Sequence, residues 1–223
     1  MAESLSPAQV SEILVTYFNR ITTHILDNEG TIIQYVGDAV MAVWGAPLPD
    51  ARQAERAVLA ARGIAEASQQ PFGGRHLRTR IGINSGKALA GNLGSFFRFD
   101  YAVIGATTNL AARLEALNKP LGTTILVSAA TRAKLPATIP TRYLGQFILR
   151  GTTQATGIYE VPLTVPPTLP IFEKALHACE SGDLTSAKAL FEQIAKQDRP
   201  AAFYLSQLNK FQAIPKPFVL ELS

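Results

Sequence analysis

Apolar residues recur every three or four positions through Val10, Ile13, Leu14, Tyr17, Phe18, Ile21 and Ile25, drawing one stripe down an α-helix. Ser6 precedes the stripe as an N-cap, Pro7 suits the first helical position, and Gln9 completes a capping box. Asn28-Glu29-Gly30 ends the helix, and the pattern changes to two short β-rich runs, 31–36 and 39–44. Only Gly37-Asp38 separates them, which predicts a two-residue hairpin turn. After Gly45-Ala46-Pro47, residues 50–69 read as an alanine-rich helix with Ala54, Ala57, Val58 and Ala61 on one face. A loop follows at 71–74. Strands are predicted at 77–84 and 88–93, joined through Ser85-Gly86, then an aromatic connection at 96–100 and a strand at 101–104. A helix over 107–117, a strand over 124–127, a short helix near 129–135 and strands over 142–149 and 157–161 complete this part. Hairpins mixed with crossovers predict an α+β fold with a mixed sheet.

Val165-Pro166-Pro167-Thr168-Leu169-Pro170 reads as a stiff linker that divides the chain into domains 1–164 and 165–223. Beyond it, helical patterns at 171–181 and 184–197 flank Gly182-Asp183, and a third covers 201–211. The run GDLTSAKALFEQIAKQD resembles a tetratricopeptide repeat, with Gly182 turning the chain and Ala187 and Phe191 packing on the partner helix. One such repeat does not bury its own apolar face, so it must pack on the main domain or on a further neighbour. Cys179, within this unit, is expected to be a buried small hydrophobe rather than a reactive thiol.

Composition narrows the class. Of 223 residues, 47% are hydrophobic and 17% charged, enough apolar mass for a core and too much for a disordered chain. A single cysteine excludes a disulfide framework and a cysteine zinc site, and His24, His76 and His177 lack metal-ligand spacing. The stretch 39–48 is the longest apolar run, well short of the ~20 residues that cross a bilayer, and no charged-then-apolar leader opens the chain. A cytoplasmic domain without a membrane segment of its own is expected, with any membrane or sensor region lying upstream of Met1 in a longer form. The net charge of +4 comes without any Lys/Arg run or aromatic-basic interleaving, which argues against nucleic acid as a partner.

Three segments carry more specific information: GTIIQYVGDAVMAVWGAP (30–47), LRTRIGINSGKALAGNLGS (77–95) and VIGATTNLAARLEAL (103–117). Together with residues 142–161 they resemble, in order and over roughly residues 3–162, the class III nucleotide cyclase (adenylate and guanylate cyclase) catalytic domain. The resemblance implies a ferredoxin-like βαββαβ fold and conversion of ATP to cyclic AMP and pyrophosphate in intracellular signalling, with GTP as the other candidate substrate. It implies two Mg²⁺ or Mn²⁺ ions, because the 3′-hydroxyl must be activated and the triphosphate neutralised. It also implies a head-to-tail homodimer. By position, Asp38 matches a metal-bridging aspartate, with a plain turn residue as the alternative. Asn109 matches the residue that orients ribose and Arg113 the one that stabilises phosphate charge; four apart, they share one helix face that could also be merely solvated. Arg80 and Arg150 match triphosphate-side arginines or are surface charges, and Gln34 and Ala102 stand at the base-reading positions.

The sequence also departs from the family. Members begin with a strand carrying a second metal aspartate, and Met1-Ala2-Glu3-Ser4-Leu5 looks like the segment just after it. If that strand is truly lost, rather than lying upstream of a start placed too late, an exposed sheet edge and a weak enzyme are expected. Ala102 offers no side-chain hydrogen bond, so base selectivity should be relaxed. Ala106 stands where an aspartate is common, which costs a helix cap. An alternative is therefore a degenerate cyclase-fold module that binds or dimerises without turnover, with Phe172, Leu176, Phe191 and Phe203 of the helical tail facing a protein partner. A nucleic-acid-binding ferredoxin-like domain is disfavoured, since stacking aromatics and a basic stripe are lacking.

Overall fold

The first helix starts as its sequence predicts. Gln9 N–H donates to Ser6 Oγ (3.3 Å) and Ser6 N–H donates to Gln9 Oε1 (2.9 Å), closing the capping box of α1, Pro7–Asp27. This computed structural model describes residues 6–72, 74, 76–95, 97–210 and 219–222. Residues 1–5, on which the expectation of a shortened start rests, lie outside the described residues, as do Phe96 and Phe211. The chain divides into two compact units, Met1–Thr79 with Gly86–Thr108, and Arg80–Ser85 with Asn109–Ser223.

In the first unit, α1 packs on α2, Gln53–Ala67, which buries Ala54, Ala57, Val58 and Ala61 as well as Ile64. The interface is close: a Cβ on Gly63 would lie 2.5 Å from His24 Nδ1. Strands β1, Thr31–Val36, and β2, Ala39–Val43, form the expected hairpin, with Val36 opposite Ala39 and Gly37 at φ +61°. Trp44 closes it against the end of α1 by donating Nε1–H to Asn28 O at 2.8 Å. A second hairpin joins β4, Leu89–Ser95, to β5, Arg98–Ile104, in antiparallel register with Ser95 opposite Arg98.

In the second unit, β3, Ile81–Ile83, runs parallel to β6, Ile125–Ser128. The sheet continues antiparallel through β8, Thr156–Glu160, and β7, Arg142–Leu149, and ends on β9, Val219–Leu222, parallel to β7. Helix α3, Ala106–Leu121, enters this unit from the end of β5, and the one-turn α4, Ala129–Arg132, is capped by Ser128. The order β3-β6-β8-β7-β9 makes a mixed sheet, as the α+β reading requires.

Two strand expectations are corrected. The predicted strand 77–84 shortens to three residues, and its partner is β6 rather than the run at 88–93. A strand exists only where a ladder forms, and the described ladder beside Ile81–Ile83 has three rungs. Residues 98–100, predicted as connection, belong to β5, because the hairpin register carries pairing up to Ser95 and Arg98.

The tail holds α5, Leu169–Ser181, α6, Leu184–Ile194, and α7, Arg199–Leu208, the last shorter than the predicted 201–211. Gly182 ends α5 in the left-handed region at φ +89°, and the Asp183 carboxylate caps α6 by accepting from Ser186 N–H (3.1 Å). Phe172, Leu176, Phe191 and Phe203 all enter one core with Leu114, Leu117, Leu126, Leu144 and Phe147 of the sheet and α3. This settles the choice left by the sequence: the helices pack on the main domain. It also corrects the expectation that these four residues face a protein partner, since burying them in the core is worth more than leaving them in water. Tyr204 completes the seam by donating its hydroxyl to Leu144 O.

Cys179 is buried among these residues, and burial foremost pushes its thiol up to about 12. Because the thiolate is the nucleophile, the folded protein should resist alkylation at neutral pH and react only after denaturation. Mass spectrometry after maleimide treatment with and without urea checks this; rapid labelling of the native protein is the contrary result.

Candidate functional site

The candidate residues fall in both units. In the first, Asp38 sits exposed at the tip of the β1–β2 hairpin, where the turn projects its carboxylate beyond the strands. Nothing lies within 4 Å of where a Gly37 Cβ would be, so the tip is open on that side. Gln34 is exposed on β1, immediately after a register shift between Ile32 and Gln34, opposite Met41. Ala102 is half-buried on β5, opposite Gly91, and β5 touches β1. The structure therefore places the two base-reading candidates on neighbouring strands.

The second unit holds Asn109, Arg113, Arg80 and Arg150, and α3 is the element that positions them. The helix lies directly on β3 at Gly82: a Cβ there would collide with Ala111 O and Glu115 N and lie 2.8 Å from Leu114 C. Buried Asn118 fastens the same contact, donating Nδ2–H to Ile81 O and to Leu114 O, both at 3.0 Å, while Oδ1 accepts from the Thr123 hydroxyl at 2.8 Å. Arg80 adds a third tie, its Nε 3.0 Å from Glu115 Oε1. Arg80 thus holds β3 to α3 through an ion pair, whatever else it contacts.

With α3 so held, Asn109 is exposed near its start and Arg113 half-buried one turn later. The Arg113 guanidinium lies over the turn that follows β7: a Cβ on Gly151 would be 2.9 Å from Nη2. That turn is closed by Thr152 N–H to Leu149 O (2.8 Å) and tightened by the Thr152 hydroxyl to the same carbonyl (2.8 Å). Gly151 adopts φ +71°, so glycine is needed there both for the backbone and to leave room for the guanidinium. Exposed Arg150 precedes it on the same turn. The fold thereby brings Arg113 and Arg150 to one corner with Asn109 one helical turn away. Two guanidinium groups beside a side-chain amide suit a phosphorylated ligand that also offers hydroxyls.

Sequence reading missed Gly82, Glu115 and Gly151. Only Gly151 had a usable signal, a glycine directly after an arginine at a strand end. The Arg80–Glu115 pair spans 35 positions and leaves no local pattern.

Among the described residues no group of three His, Cys, Asp or Glu side chains is placed to hold an ion. Asp38 alone fits one Mg²⁺ shared with phosphate oxygens, a mode in which this ion uses one or two carboxylates. It does not fit a pair of ions. Nor is any described helix long and apolar enough to cross a membrane.

Comparison with known proteins shows the family and the fold. The family model for the adenylate and guanylate cyclase catalytic domain matches residues 1–160. Adenylate cyclase 1 of Rhizobium meliloti is 38% identical over 167 residues, which are 72% of this chain and 25% of that protein. The guanylyl cyclase Cya2 superimposes with a TM-score of 0.63 at 30% identity, covering 74% of this chain and 86% of the other. The adenylyl cyclase CyaB from P. aeruginosa gives 0.62 at 29% identity, covering 74% and 87%. The match spans only part of the length of such curated relatives, from 8% to 30%.

Proposed function

The chain belongs to the adenylate and guanylate cyclase catalytic-domain family, and on that premise we propose that it is a nucleotide cyclase that closes ATP to cyclic AMP. In the reaction the ribose 3′-oxygen bonds to the α-phosphorus, the bond to the β-phosphate oxygen breaks, pyrophosphate leaves with that electron pair, and the hydroxyl proton passes to solvent. The single observation that carries the reading is the corner where Arg113 rests on Gly151, beside Arg150 and one turn from Asn109.

Asn109 presents an amide that holds the ribose so that the 3′-oxygen faces phosphorus. Arg113 places its guanidinium where negative charge grows on the α-phosphate, and its seat on Gly151 keeps it from reorganising as that charge forms. Arg150 faces the β- and γ-phosphates. Asp38 would hold Mg²⁺ or Mn²⁺ together with phosphate oxygens, and such an ion neutralises triphosphate charge. Gln34 reads the purine edge, and Ala102 adds only surface. We therefore expect ATP and GTP to differ by no more than about 100-fold in kcat/KM, because strong rejection needs a polar group left unpaired by the wrong base.

Purified chain assayed with Mn²⁺ should release cyclic AMP from ATP and, less efficiently, cyclic GMP from GTP. Arg113→Ala should lower kcat about 100-fold with an unchanged circular dichroism spectrum. No product from folded, associated protein overturns the proposal. A second reading, nucleotide binding without turnover, is favoured because no group of three metal-ligating side chains forms among the described residues; it is supported if ATP binds, with loss in Arg113→Ala, and no cyclic product forms.

Turnover would require two copies head to tail, with Asp38 of one chain serving Asn109 and Arg113 of the other. The β4–β5 hairpin supports association: Phe97 is 95% and Phe99 64% exposed near its tip, and Leu89 and Ile104, paired at its other end, are exposed as well. Phe99→Glu should shift light-scattering mass to that of a single chain and lower specific activity in parallel. An unchanged mass argues that another surface joins the copies.

A further inference from the structure

Strand β7 starts against the helical tail and ends at the turn on which Arg113 rests, and its alternation of buried and exposed residues breaks once on the way. Arg142 and Leu144 are buried, as a period of two requires, but so is Gly145, and from there the buried positions are Phe147 and Leu149. The break is a bulge: Tyr143 pairs with Tyr159 and Gly145 with the next residue, Ile158, so the ladder steps over Leu144. A buried carbonyl left out of a ladder needs a donor from elsewhere. The Tyr204 hydroxyl of α7 supplies one to Leu144 O.

The fit around this bond is close. A Cβ on Gly145 would collide with the Tyr204 hydroxyl and lie 3.5 Å from Leu176 Cδ1. Tyr204 is fully buried, its ring centroid 5.2 Å from that of Phe191, 5.8 Å from Phe203 and 5.9 Å from Phe172. A packed aromatic cluster therefore aims the hydroxyl. Leu149, at the far end of β7, and Leu114 of α3 lie in the same core as Tyr204.

The bulge matters at the site because it adds one residue to β7. With a regular ladder each residue beyond Leu144 would sit one position further along, and Arg150 would arrive where Gly151 lies beneath Arg113. A side chain there would take the space of the guanidinium. Taking that corner as the cyclase site, we propose that Tyr204 is a positioning residue for Arg113: by holding the carbonyl of the bulge it fixes the register of β7 and keeps Gly151 under the guanidinium. The helical tail thereby belongs to the working part of the domain.

Tyr204→Phe removes the hydroxyl and keeps the ring. The full chain, Tyr204→Phe, Arg113→Ala and the double variant would be assayed with Mn²⁺ and ATP at a temperature where all stay folded by circular dichroism. Tyr204→Phe should lower kcat about fivefold or more, leave KM for ATP within about twofold, and cause no further fall once Arg113 is already alanine. Gly145→Ala, whose Cβ displaces the same hydroxyl, is the second disturbance of the bond and should show the same dependence on Arg113. An equal fall in both backgrounds is what a purely structural role gives and overturns the proposal, as does an unchanged kcat in Tyr204→Phe. If the full chain binds ATP without turning it over, the cyclase reading has failed, and the same proteins are compared by ATP calorimetry. Tyr204→Phe should then weaken binding about twofold or more only where Arg113 is present. Equal weakening in both backgrounds, or none, overturns the positioning role too, and absence of both turnover and ATP binding overturns the site and the role together.

Discussion

Asp198→Ala should lower folding stability by about 3–5 kcal/mol, the cost of removing one partner from a buried ion pair. The carboxylate sits between the sheet and the helical tail, bonded to Arg142 at 2.7 Å, to the Thr168 hydroxyl and to the first turn of α7 at Ala201 N–H. Alanine leaves the Arg142 guanidinium buried with only Glu160 at 3.6 Å, and strips α7 of its N-cap. For a chain of this size each kcal/mol moves the melting temperature by roughly 2–4 °C, so a fall of about 6–20 °C is expected by calorimetry. Asp198→Asn keeps hydrogen-bonding capacity and should fall less. A shift below about 3 °C for the alanine variant would show that water reaches Arg142 and solvates it.

Gly82→Val should be nearly as damaging, at about 3 kcal/mol or more, above the common range for overpacking because the colliding atoms are backbone. The new side chain would strike Ala111 O and Glu115 N, and neither swings aside as a flexible side chain would. Helix α3 must then rise off β3, pulling Asn118 from Ile81 O and Arg80 from Glu115. Asn109 and Arg113 ride on that helix, so any surviving folded protein should lose nucleotide affinity along with stability. Chemical denaturation and ATP-analogue titration of the same preparation check both halves. Wild-type stability in Gly82→Val would mean that α3 has room to move without loss.

The two predictions concern contacts that no local reading of the chain reveals. Arg142 and Asp198 stand 56 positions apart, and their pairing follows from the tail folding back onto β7. Likewise the predicted strand at 77–84 carried the right residue types, yet only three of them find a partner ladder, on β6. The three tail phenylalanines and Leu176 read equally well as an outward surface or an inward one until the shared core with Leu126, Leu144 and Phe147 placed them.

By itself the sequence determined what depends on neighbours along the chain: the Ser6–Gln9 capping box, the Gly37-Asp38 hairpin, the Gly182 turn, and the ordered motifs that place the chain in its family. Those features arise from the backbone's own donors and acceptors within a few residues, so residue type and spacing suffice. Tertiary structure alone decided which strands share a sheet, where Arg113 rests, and which charges are buried together. These outcomes follow from apolar surface leaving water over long sequence separations, where many pairings satisfy the same pattern and only the packed whole selects one.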